Sequence, residues 1–93
     1  MNTVDEIKEL LYKNKKRLDQ ELKESKEAVN LIKKSMSSSL SDNEKEKIKM
    51  QLLDICKAIP ALAVFLLPGG ALLLPLLIKL IPDILPSAFR DNE

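Results

Sequence analysis

The chain has 93 residues, with 15 Lys/Arg against 14 Asp/Glu and a net charge of +1. That length bounds it to one small domain, and the balanced charge gives no basis for holding nucleic acid directly. The absence of histidine removes the commonest metal ligand and acid–base group, and Cys56, the one cysteine, excludes an internal disulfide.

The N-terminus, MNTVDEIKE, is acidic and lacks an apolar core. It is expected to be neither a signal peptide nor an arginine-rich transit peptide. Thr3 and Glu6 spell a capping box, with Asp5 and Glu6 in the first turn, so a helix is expected to start there. Apolar residues then recur at Val4, Ile7, Leu11, Leu18, Leu22, Val29, Ile32 and Met36. Steps of three, four and seven place them on one helical stripe. Glu9–Lys13 and Asp19–Lys23 are four apart and can pair. The stripe is thin, and Asn14 and Ser25 interrupt its heptad. A helix of this kind needs a partner, either the next helix or a second copy in a coiled coil. Lying on a membrane surface is the less favoured reading, because both charge signs cover the polar face and no tryptophan anchors it.

Ser35–Ser41 holds five serines in seven residues and reads as a break between helices. Ser41 and Glu44 form a second capping box, from which a helix is expected at about Asp42. Its stripe is Ile48, Leu52, Ile55 and Ile59, continuing to Leu62. Lys45, Lys47, Lys49 and Lys57 suit either anionic head groups or a solvated face.

The segment from Ala58 to Ile78 runs twenty-one residues without a charge. As one helix it would measure about 31 Å, close to the ~30 Å hydrocarbon core of a bilayer. It is therefore expected to be membrane-inserted. It also contains most of the chain's helix breakers. Pro60, Pro68, Pro75, Pro82 and Pro86 are all the prolines, and Gly69 and Gly70 are all the glycines. Pro68-Gly69-Gly70 is the strongest break, so the run reads as a kinked span or as two short arms of a re-entrant hairpin. Beyond it, Lys79 and Asp83 lie four apart and can pair at a membrane edge, where Lys79 would reach the head groups. No nucleophile–base pair, metal cluster or phosphate loop stands out, so neither enzyme activity nor a cofactor is expected.

From Leu40 to Phe89 the motifs carry a resemblance. Leu40-Ser41 with Glu44 matches L-S/T-x-x-E, and Asp54, Lys57 and Pro60 match D-x-x-K/R-x-x-P. Leu73-Leu74-Pro75, Lys79-Leu80 and Leu85-Pro86-Ser87-x-Phe89 match LLP, KL and LPSxF, and all five prolines fall in register. On these residues the segment resembles the Letm-like family, the leucine-zipper and EF-hand transmembrane proteins of the mitochondrial inner membrane and their bacterial relatives. The resemblance implies a place in the mitochondrial inner membrane or the bacterial cytoplasmic membrane. It further implies a role in cation homeostasis or in tethering ribosomes or proteins there.

Two features depart from the family. It places a glutamate inside the apolar stretch where this chain has Ala71, and that acid would be the natural proton or cation carrier. It also places a large domain, with the ribosome-binding role, after LPSxF, where four residues remain here. No EF-hand loop pattern is present.

The resulting expectation is an all-α chain: an amphipathic helical hairpin followed by a Pro/Gly-broken membrane-inserted helix or re-entrant hairpin. Residues 1–39 would be the amphipathic helix and serine loop, 40–89 a Letm-like membrane module, and 90–93 a tail. The alternative function is a structural or accessory subunit that oligomerises without transporting. The expected partners are the bilayer, a second copy or another membrane protein, and the ribosome.

Overall fold

The computed structural model describes residues 3–66 and 73–90. Among them the chain is all-helical. Its α-helices are α1 (Thr3–Lys13), α2 (Lys15–Lys23), α3 (Lys26–Ser37), α4 (Asp42–Ile55) and α5 (Leu74–Ile84). Two 3-10 helices, Pro60–Phe65 and Pro86–Phe89, follow α4 and α5.

The long N-terminal stripe is cut at the two residues that interrupt its heptad. Asn14 turns its side-chain amide onto the Leu10 carbonyl at 2.9 Å, and its backbone N–H donates to the same carbonyl at 3.1 Å. A side chain competing with the backbone in this way bends a helix without fully breaking it. At Ser25 the backbone leaves helical geometry altogether (φ −120°, ψ 76°). Ser25 Oγ donates to Gln51 Oε1 on α4 at 3.0 Å, and Gln51 Nε2 donates to Glu27 Oε1 at 3.0 Å. The break at Ser25 thus ties the start of α3 to α4. Each fragment keeps its share of the stripe: Ile7, Leu11, Leu18, Leu22 and Ile32 are fully buried. Ala28, a position the stripe did not include, is buried with them. The expected hairpin is therefore three short helices before the serine loop rather than one long arm.

The capping expectations divide. Ser41 Oγ accepts the Glu44 N–H at 3.2 Å, and Glu44 Oε1 accepts the Ser41 N–H at 2.9 Å, so the second box is closed. The Thr3–Glu6 box is not formed as expected, because Thr3 already lies within α1 rather than at its cap.

The expectation of a membrane-inserted helix or re-entrant hairpin over residues 58–78 finds no support. Among the described residues no helix is long and apolar enough to cross a membrane. The run's side chains have another destination. Ile59, Leu62, Leu66, Leu77 and Ile78 join Leu80, Ile81, Ile84 and Leu85 in the same core as the N-terminal stripe. α5 packs against both α1 and α3, and α3 packs against α4. Three thin stripes need an element that is apolar on more than one side, and the uncharged run supplies it. The described residues on either side of the serine loop thus contribute to one core.

The prolines sit where a missing N–H costs least. Pro60 and Pro86 open their 3-10 helices, and Pro75 falls in the first turn of α5, where N–H groups have no intrahelical partner anyway. Pro82 lies inside α5, in its last turn, and has no N–H to give the Ile78 carbonyl. Pro68, Gly69, Gly70 and the Ala71 position lie outside the described residues.

A candidate interaction groove

α5 carries two faces. Leu77, Leu80, Ile81 and Ile84 point into the core. Leu74, Pro75, Ile78, Lys79 and Pro82 recur at steps of three and four on another side, with Asp83 beside them. This second side forms one wall of a groove of about 620 Å³. The opposite wall is the end of α3 and the serine loop, through Ser35, Met36 and Leu40, with Lys45 from the first turn of α4. The surface is mainly apolar with charge at its rim, the usual make-up of a recognition cleft, and its size lies within the roughly 300–1,000 Å³ such clefts occupy.

Met36 is the informative member. It ends the N-terminal stripe, yet it is 63% exposed. The serine loop turns the chain away directly after it, so the next helix does not cover it. Its place beside the serine run was the one sequence signal for this.

The other sequence-selected residues fall into three groups. Pro75, Pro82 and Lys79 lie in the groove, together with Leu40 and Leu74 from the same motifs. Glu44 is structural: besides closing the α4 cap, it accepts from Lys34 Nζ at 2.6 Å, joining α3 to α4. The Lys34 ammonium, then the Ser41 N–H, hold its carboxyl below the usual glutamate range. Asp54 and Lys57 pair with each other at 3.0 Å, both well exposed, which stabilises little. They line a separate polar cleft of about 540 Å³ with Glu21, Glu24, Lys26 and Gln51. The expected pairs Glu9–Lys13 (3.7 Å) and Asp19–Lys23 (3.1 Å) are present. Lys79 and Asp83, although one turn apart on α5, form no ion pair with each other. Cys56 caps α4 half-buried against the core, and burial pushes its thiol up from the ordinary range. Among the described residues no cluster of three His, Cys, Asp or Glu could hold a metal ion.

Leu40, Leu74, Pro75, Lys79 and Pro82 thus gather on one exposed groove, while Asp54 and Lys57 line a different cleft. The family model described as "LETM1-like, RBD" matches residues 40–93, starting at the same Leu40 where the motifs begin. The chain belongs to the LETM1-like family. It is 34% identical over 78 residues to the mitochondrial LETM1 domain-containing protein mdm28 of Schizosaccharomyces pombe, a match covering 84% of this chain and 16% of that protein. It is 32% identical over 63 residues to the mitochondrial LETM1 domain-containing protein YLH47 of Saccharomyces cerevisiae, covering 68% of this chain and 14% of that protein. The chain thus spans a small part of the length of these LETM1-like relatives. No solved structure matches it significantly.

Proposed function

We propose that this chain is a mitochondrial docking module of the LETM1-like class that tethers ribosomes, or proteins associated with them, beside the inner membrane. One observation carries the reading. The segment matched by the family model is the one whose motif residues Leu40, Leu74, Pro75 and Lys79 converge on an open groove. The letters RBD in that model's description, read as a ribosome-binding domain, and the mitochondrial names of both relatives favour the same reading.

Contact with the bilayer, in this proposal, is made from the surface of the folded module. Inserting residues 58–78 as a span would pull Ile59, Leu62, Leu66 and Leu77 out of the core. An effect on cation homeostasis would follow through the proteins the module holds. Ion carriage by this chain alone is not proposed, since position 71 is alanine and among the described residues the core holds no charged side chain.

The test is co-sedimentation of the full chain with purified mitochondrial ribosomes, with flotation on inner-membrane vesicles run in parallel. Salt-resistant co-sedimentation is the expected result. A chain that stays in the supernatant in both assays overturns the reading.

A further inference from the structure

The groove has an apolar floor and a rim of mixed charge. Leu40, Leu74, Ile78 and Pro82 line it, and Met36 stands exposed at its edge. Lys45 comes from one wall, and Lys79 and Asp83 from the other. Among the described residues, none of the three charges on the groove's rim has an ion-pair partner.

That charge pattern selects the occupant. An anionic lipid head group would be drawn to the two lysines but repelled by Asp83, one turn from Lys79. A helix can satisfy all three groups, because its flanks carry different charges one turn apart. Its apolar face would offer anchors at i, i+4 and i+7, spanning about 10 Å. The groove wall from Leu74 to Asp83 is about 14 Å long at ~1.5 Å per residue, so the anchors fit. The Pro75 and Pro82 rings stiffen that wall, so little entropy is lost in forming the site.

We propose that this groove takes the apolar face of an amphipathic helix from a partner protein. A carboxylate of that helix lies against Lys45 and Lys79, and a basic residue lies against Asp83. The assignment rests on the docking role proposed above and names the chemistry of the partner segment.

The test uses the full chain and two fluorescein-labelled helical peptides with the same leucine stripe. One has glutamate and lysine placed for this rim; the other has the two charges exchanged. Anisotropy titrations are expected to favour the first peptide roughly threefold or more, since the exchange turns weakly attractive exposed pairs into repulsive ones. Lys45→Glu combined with Lys79→Glu is expected to invert the preference. Met36→Glu is expected to weaken both peptides roughly tenfold, as loss of an apolar anchor does. Met36, Lys45 and Lys79 are exposed, so unchanged circular dichroism should confirm that these variants fold.

Equal affinity for the two peptides, no binding of either, or indifference to Met36→Glu overturns the proposal. So does binding to phosphatidylcholine–cardiolipin vesicles that Met36→Glu abolishes, which would give the groove to lipid. Ribosome co-sedimentation separates the two claims. Co-sedimentation without charge-selective peptide binding removes the groove assignment and keeps the docking role. Selective peptide binding without co-sedimentation keeps the groove and removes the ribosome.

Discussion

α1 and α5 are each eleven residues long and pack against each other, yet they are built on opposite plans. α1 is charged over its outer face, and its buried residues are Ile7 and Leu11. α5 has two charges, Lys79 and Asp83, and buries Leu77, Ile78, Leu80, Ile81 and Ile84. A helix with one narrow stripe cannot make a core with copies of itself in so short a chain. It can when a neighbour presents apolar surface in several directions. The uncharged run therefore has two sufficient explanations, bilayer or core, and the partners present in the same chain favour the core.

The largest effect is expected from a charge placed in the surface that α1 and α5 share. Ile81→Asp places a carboxylate in a fully buried position with no partner, and the whole chain is expected to unfold. Far-ultraviolet circular dichroism should then lose the signal of α1–α3 as well as that of α5. Persistence of most of the helical signal would mean that the apolar run and the charged half are independent. The milder Leu77→Ala is expected to cost ~2–5 kcal/mol in urea denaturation, as truncation of a buried leucine does.

The next effect lies between the two regions, at the start of α4. Ser41→Ala removes a cap whose hydrogen bonds are both formed and is expected to cost about 1 kcal/mol. A thermal midpoint equal to that of the parent chain would show that the serine loop, not the cap, sets where α4 begins.

A smaller effect is read through pH. The Glu44 carboxyl is held low in the folded chain, so its contribution is full above the ordinary glutamate range. That contribution is lost as pH falls through the lowered folded value. Urea midpoints measured from neutral pH downward should fall, and Glu44→Gln should flatten part of the slope. An identical slope in the variant would remove Glu44 from the account.

The smallest effect is the most discriminating between the two faces of α5. Lys79→Ala lies on the groove side and is expected to change stability by less than about 0.5 kcal/mol, while Leu77→Ala, two residues away, is costly. A large loss at Lys79 would mean that the groove wall is structural.

Much of the fold was legible along the chain. The stripe Ile48, Leu52, Ile55, Ile59 and Leu62 is buried throughout, and Ser41 with Glu44 closes the cap that their spacing announces. Such features depend on residues within two turns of one another, where helical geometry alone decides who meets whom. The groove was only half legible. Lys79, Pro75 and Pro82 stood out by motif, but Met36, Ser35 and Lys45 are brought opposite them by the turn at the serine loop and the packing of α3 on α5.

Consecutive residues alone announced the Ser41–Glu44 cap of α4, most of the buried stripes and the family motifs. Periodicity, capping chemistry and motif spacing are local quantities, and each is written in consecutive residues. What the apolar run is buried against, and which motif residues stay at the surface, follow from packing between segments distant in the chain. Hydrophobicity measures the cost of exposure to water and does not say whether lipid or protein relieves it. That choice depends on the shapes and stripes of α1 and α3, far away in the chain and adjacent to α5 in space.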